Sequence, residues 1–237
     1  SSSKNRSSLK EQIKTYLEFN MVKPLINGFQ NFRDNYFSKE KSFFENLIKK
    51  GQKPKVMIIS CSDSRVDPAI LFNAEPGELF VVRNVANLVP PYEPDEGYHG
   101  VSAAIEYATK DLLVEHIVVL GHAFCGGISA LCEICKNEKD GLNHGNSNKR
   151  EFLESWIKIS KQSILELDFK NWPGSTQHLA ERKSIVNSIN NLMTFPWVSE
   201  LVANKKLELH GWWFNLENSS LWNFNHKNKC FEELVPK

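Results

Sequence analysis

"IISCSDSRVDP", residues 58–68, places Cys61, Asp63, Ser64 and Arg65 directly after an apolar run. Met57, Ile58 and Ile59 before them and Pro68 after them indicate a buried strand ending in a loop. Such groups are costly to bury unpartnered, so a thiol, a carboxylate and a guanidinium at a strand end call for a chemical use. Outward from this stretch, "KVMIIS" (55–60), "ELFVVRN" (78–84) and "HIVVLGH" (116–122) are strand-sized apolar runs. "GVSAAIEYATKDLL" (100–113) lies between the last two and "GGISALCEICKN" (126–137) follows them; both have helical spacing. The alternation predicts an α/β fold: a mostly parallel central sheet flanked by helices on both faces. Ligands in such sheets gather at the carboxyl ends of the strands. The opening stretch and Gly121-His122 both fall at such ends, so they can lie side by side.

The flanks read differently. Residues 8–50 are helical, with "SLKEQIKTYLEFN" (8–20) and "SKEKSFFENLIKK" (38–50) carrying apolar residues three and four apart, and Gly51 ending the second. "SSSKNRSS" (1–8) reads as a disordered tail. "KNEKDGLNHGNSNKR" (136–150) is a polar surface loop, followed by helices over about 150–170, 178–193 and 196–204, interrupted by "NWPGST" (171–176). "KLELHGWWFNL" (206–216) predicts a strand, and "SLWNF" (220–224) a hairpin partner that gives the sheet an antiparallel C-terminal edge. The expected organisation is an N-terminal helical arm over 1–50 and an α/β catalytic domain over 51–237.

The chain of 237 residues carries 41% hydrophobic and 24% charged residues and a net charge of +1, an ordinary globular composition with no electrostatic pull toward nucleic acid or anionic membrane. No apolar run reaches the length of a membrane span. Five cysteines without a regular framework favour a reducing compartment, and no secretory signal is visible, so a cytoplasmic location is expected. A start at Ser1 rather than Met leaves a removed leader open.

"GHAFCGG" (121–127) sets His122 and Cys125 three apart at a strand-to-helix junction. The pair alone also fits a capped histidine and a buried thiol. With Cys61 at a second strand end, it supplies three ligands that suit zinc and leave a fourth position for water. Asp63 and Arg65 are two apart, so in an extended loop they face the same way and favour a bidentate ion pair. That pair is either a plain loop salt bridge or a device that holds the carboxylate ready for a zinc-bound hydroxide. Released by Arg65, the carboxylate could instead occupy the open zinc position.

"CSDSR" (61–65) followed by "HAFCGG" (122–127), with "RNVANLVPP" (83–91) between them, resembles the β-class carbonic anhydrases over residues 50–135, and more weakly through "LHGWWF" (209–214). The resemblance implies one Zn2+ per subunit on Cys61, His122 and Cys125, a catalytic dyad of Asp63 and Arg65, and reversible hydration of CO2 to bicarbonate. It also implies a homo-oligomer, a dimer or dimer of dimers, in which helices wrap a partner subunit. In the plant-like branch, which has a Gln nine residues before the first zinc Cys, the substrate pocket corresponds to Gln52, Phe80, Val85, Tyr107 and Gly126. Without the family, Gln52 is a loop residue and Phe80, Val85 and Tyr107 are core. Another branch adds a bicarbonate-inhibition site built from Trp, Arg and Tyr; here those positions are Ile58, Arg83 and Phe214. A hydrolase of carbonyl sulfide or carbon disulfide could use the same centre, and a structural zinc protein would show a fourth strong ligand.

The remaining candidates read as structural. Cys132 and Cys135 are helix-face thiols without a redox or zinc-ribbon context. His116, His144, His178 and His226 read as surface residues, and His99 lies near a helix start beside the pocket segments. Cys230 carries no signal. Trp212, Trp213 and Trp222 fit packing at an edge or a subunit interface.

Overall fold

The computed structural model describes residues 11, 22–142, 150–170, 172 and 174–236. The chain divides into two compact units, Ser1–Gln52 and Lys53–Lys237. In the first, helix α1 (22–31) runs into a π-helical turn, Phe32–Phe37, and helix α2 spans Lys41–Lys50. Phe44 of α2 packs edge-on against Phe32 and Tyr36, with ring centroids 6.0 and 5.7 Å apart. The expected helix over 8–20, apart from Glu11, and the expected tail over 1–8 lie outside the described residues.

The second unit holds a six-stranded sheet in the order β2-β1-β3-β4-β5-β6. β1 (Val56–Cys61), β2 (Leu79–Asn84), β3 (His116–His122) and β4 (Glu208–Asn215) are parallel. β5 (Ser220–Asn225) and β6 (Cys230–Glu233) continue antiparallel, so the expected hairpin and antiparallel edge are present. Alternate residues divide between the two faces, as the period of two requires. Met57, Ile59, Ile117, Val119 and Trp213 join one core with Ile185 and Ile189. Ile58, Val118 and Leu120 face the other way, against Leu71, Phe72, Trp212 and Phe214.

The helices of this unit are α3 (Pro68–Leu71), α4 (Gly100–Glu106), α5 (Gly126–Lys139), α6 (Leu153–Ile157), α7 (Lys161–Ile164), α8 (Gly174–Leu192) and α9 (Pro196–Ala203). α8 lies close on β3 and β4 because both strands carry glycine beneath it. A Cβ on Gly121 would stand 2.6 Å from Ile185 Cδ1, and one on Gly211 2.7 Å from Ile189 Cδ1.

Several boundaries differ from the sequence reading. α5 runs through Lys139, so Lys136–Lys139 are helix rather than loop, and residues 143–149 lie outside the described residues. The expected helix over 150–170 is broken into α6, a 3-10 turn at Lys158–Ser160 and α7. Buried Ser160 there meets Ser184 of α8, Oγ to Oγ at 2.8 Å, a local bond that competes with regular helix. α8 begins at Gly174, four residues before expectation, and β6 was not foreseen because its four residues, Cys-Phe-Glu-Glu, carry no alternating pattern.

Candidate metal centre

Cys61 is the last residue of β1 and His122 the last of the adjacent β3. Cys125 caps the N-terminus of α5, and Phe124 before it adopts φ 59°, the left-handed turn that swings the chain from strand to helix. The donor atoms of Cys61, His122 and Cys125 all lie within 4.8 Å of one another, with the two Sγ atoms 4.0 Å apart. His122 Nδ1 donates to the Ala123 carbonyl at 2.8 Å, which fixes the tautomer and leaves the Nε2 lone pair directed at the sulfurs. Nε2 is buried and has no hydrogen-bond partner among the described residues. A buried ring nitrogen is rarely left unsatisfied, and its neighbours here are two thiols. Zn–S bonds of about 2.3 Å bring two sulfurs to nearly the observed separation, so this donor set fits a zinc ion.

Asp63 and Arg65 form a bidentate pair, Nε to Oδ1 at 2.9 Å and Nη2 to Oδ2 at 2.7 Å, and the Arg65 backbone N–H also donates to Oδ1 at 2.9 Å. Nη2 reaches the Phe124 carbonyl at 3.1 Å, tying the pair to the His122–Cys125 turn. Asp63 Oδ2 stands 3.8 Å from His122 Nε2. The Arg65 guanidinium beside it holds the Asp63 carboxyl well below the usual carboxylate range. Donation from Cys125 lowers the Cys61 thiol to about 4 against the opposing effect of burial, with His122 also lowering it. Cys125 moves up, because a second thiolate beside Cys61 and deep burial both oppose its charge. Burial opposes protonation of His122, but its contact with Cys61 carries its pKa above the ordinary value. Without a metal the cluster thus favours one thiolate, on Cys61, and a bound divalent cation would let Cys125 ionise as well.

Two residues that secure the site were not singled out for this role in the sequence. Arg83 of β2 donates to the carbonyls of Cys61 (2.9 Å), Asp63 (2.7 Å) and Val66 (3.3 Å), and to Asp67 Oδ2 at 3.1 Å. It pins the whole 61–67 loop. Glu181 of α8, 2% exposed, accepts the Cys125 backbone N–H at 3.0 Å, while its other oxygen meets Trp213 Nε1 at 3.1 Å and His178 Nδ1 at 3.0 Å. The available signal was a carboxylate on the same helix face as Ser184, Ile185 and Ser188. His178 is therefore a partner of a buried carboxylate, not the surface residue expected.

The pocket candidates are more dispersed. Gly126 opens α5 beside Cys125. Val85 follows β2, is 39% exposed, and accepts at its carbonyl from Trp156 Nε1. Phe80 and Tyr107 pack together with centroids 5.9 Å apart, Tyr107 opening a π-helical turn and remaining 45% exposed. Neither Val85 nor Tyr107 is the core residue that its apolar character suggests. Gln52 ends the N-terminal unit and is exposed. His99 is held by Asp95 at 2.6 Å at the start of α4. Cys132 and Cys135 are fully buried in α5, and burial pushes the Cys132 thiol up to about 12. His144 lies outside the described residues.

Three converging donors and a carboxylate locked by arginine, at the carboxyl edge of a parallel sheet, define a metalloenzyme-type centre. The carbonic anhydrase family model matches residues 56–221. A carbonic anhydrase of Synechocystis sp. is 34% identical over 203 residues, covering 83% of this chain and 69% of the relative. β carbonic anhydrase 3 of Arabidopsis thaliana is 34% identical over 215 residues, covering 87% and 78%. Among solved structures, the β-carbonic anhydrase CcaA superposes with a TM-score of 0.79 at 30% identity, covering 92% of this chain and 94% of that one. A tetrameric β-carbonic anhydrase of Sordaria macrospora gives 0.63 at 26% identity, covering 94% and 98%. The chain belongs to the β-class carbonic anhydrase family, enzymes that interconvert CO2 and bicarbonate. Among the described residues, no helix is long and apolar enough to cross a membrane.

Proposed function

We propose that this chain is a zinc-dependent carbonic anhydrase catalysing CO2 + H2O ⇌ HCO3− + H+, with Cys61, His122 and Cys125 as the metal ligands. The observation that carries the reading is the unsatisfied, buried His122 Nε2 directed at two thiol sulfurs beside the Asp63–Arg65 pair. Zinc, when bound, supplies a Lewis acid that makes water acidic near neutral pH. Asp63, kept ionised by Arg65, accepts a hydrogen bond from the attacking oxygen and turns its lone pair toward the carbon of CO2. Arg65 holds both Asp63 oxygens, which would keep the carboxylate from competing for a bound metal. Phe80, Val85 and Tyr107 offer an apolar wall for CO2, and Gly126 leaves room beside Cys125. Half-exposed Val85 and Tyr107 fit a wall completed by a second subunit, so the working unit is a homo-oligomer, at least a dimer. The test is stopped-flow CO2 hydration by protein of measured zinc content, with carbonyl sulfide hydrolysis followed in parallel. Hydration proportional to bound zinc is expected; zinc-replete protein that consumes only carbonyl sulfide would overturn the assignment.

A further inference from the structure

Far from this centre, at the opposite end of β3, a second group of metal-ligating side chains converges. His116 opens β3, and Glu208 and His210 lie on the neighbouring β4, with His116 paired in register with Glu208. Glu208 and His210 are two apart, so the strand period puts both on one face. His116 Nδ1 and His210 Nε2 are 3.1 Å apart, and Glu208 Oε2 is 3.8 Å from each. The circle through these three atoms has a radius of about 2.1 Å, the length of a zinc–imidazole or zinc–carboxylate bond.

We propose that His116, Glu208 and His210 form a second metal site, which takes a divalent late transition ion of the zinc class. Two imidazoles and one carboxylate are a donor set preferred by such ions over Mg2+ or Ca2+. The side chains of His116, His210 and Glu208 are 39%, 27% and 68% exposed, so an ion reaches them from solvent and water completes its shell. Competing partners are already engaged: Glu115, next to His116, is paired with Lys55, and the His226 ring bonds the Leu209 carbonyl at 3.0 Å. Without an ion, the two rings share one proton across 3.1 Å, and metal binding displaces it. The ion would tie β3 to β4 at the amino edge, six residues along β3 from His122, or about 20 Å from the first centre. It is a site with no place in CO2 hydration, and it does not depend on the assignment of Cys61, His122 and Cys125.

The test is equilibrium dialysis of the native enzyme against micromolar free Zn2+, reading metal per chain, with thermal unfolding alongside. Native protein should take up one equivalent more than His210→Asn or His116→Gln at the same free zinc, and once the first centre is filled, further zinc should raise Tm more in the native chain than in the variants. Because outer-shell partners alone carry about 10–100-fold in metal affinity, loss of a ligand in Glu208→Gln should weaken the second equivalent by roughly tenfold or more. CO2 hydration at low free zinc should be equal in all four proteins. An extra equivalent that persists unchanged in the variants, or its absence from the native enzyme, overturns the proposal. If a histidine variant fails to fold, exposed Glu208→Gln decides the matter alone.

Discussion

One guanidinium takes both oxygens of Asp63: Arg65 meets Oδ1 at 2.9 Å and Oδ2 at 2.7 Å, while His122 Nε2 waits 3.8 Å from Oδ2. The carboxylate is therefore suspended between its arginine and the cluster of Cys61, His122 and Cys125. Arg65→Ala should let it swing onto the metal position, retaining zinc while cutting the hydration rate roughly a hundredfold, the scale of a lost acid–base group. Arg65→Lys should restore little, since a point charge cannot hold two oxygens in fixed geometry. Zinc content measured beside kcat separates this outcome from simple loss of metal.

The same contact sets a pH prediction. Arg65 holds the Asp63 carboxyl below its unfolded value, so the stability it contributes is present above the unfolded pKa and lost only as pH falls through the lower folded one. Asp63 thus stays charged throughout the working range. The ratio of native to Asp63→Asn activity should be constant from about pH 6 to about pH 9, because Asp63 does not titrate there. Any acid limb common to both profiles belongs to another group; a ratio that collapses in mild acid would assign it to Asp63 instead.

Arg83 anchors the loop rather than a substrate. Its guanidinium serves three carbonyls and Asp67, and charge-assisted bonds of this kind contribute about 1.5–3 kcal/mol when left unmatched. Arg83→Met should cost about 2–4 kcal/mol in urea unfolding. Zinc affinity should fall with it, since the carbonyl of Cys61 is one of the anchored groups.

Glu181 secures Cys125 from behind. Glu181→Gln keeps one acceptor oxygen, enough for the Cys125 N–H or for the Trp213 and His178 donors but not for both sides, and Glu181→Leu keeps none. Zinc affinity, read by competition with a chelator, should therefore fall in the order native, Gln, Leu, with a loss of about 10–100-fold in the last.

What the sequence made legible follows from where local pattern and tertiary need coincide. β1, β3 and the turn into α5 were readable because buried parallel strands are continuous apolar runs and the polar residues stand at their ends. Glu181 was not, since its burial arises only when α8 closes on Trp213 and the Cys125 turn, more than fifty residues from the latter in sequence. The anchoring role of Arg83 is hidden for the same reason: its partners are mostly backbone carbonyls, which leave no trace in side-chain spacing. The break at Ser160 depends on Ser184, again a tertiary partner.

The last prediction concerns bicarbonate. A β-class branch that is inhibited cooperatively by bicarbonate draws on Trp, Arg and Tyr donors at the positions of Ile58, Arg83 and Phe214. Ile58 is 2% exposed and packs with Val118 and Leu120, so an anion finds an apolar wall where an indole N–H would stand. Phe214 belongs to the same apolar layer and has no hydroxyl. Arg83 keeps its guanidinium on the 61–67 loop, so diverting it to bicarbonate would break the bonds that hold Cys61 and Asp63 in place. With each charge-assisted bond contributing about 1.5–3 kcal/mol, a site short of two donors and obliged to strip the third should bind bicarbonate at least about tenfold more weakly. Profiles of hydration rate against pH, taken with rising bicarbonate at constant ionic strength, should keep their shape and show only ordinary product inhibition. A sigmoidal, bicarbonate-dependent displacement of the profile would mean that Arg83 does leave the loop. The double variant Ile58→Trp, Phe214→Tyr gives the converse test: with both donors restored, bicarbonate sensitivity should appear only if Arg83 can be recruited from its carbonyls.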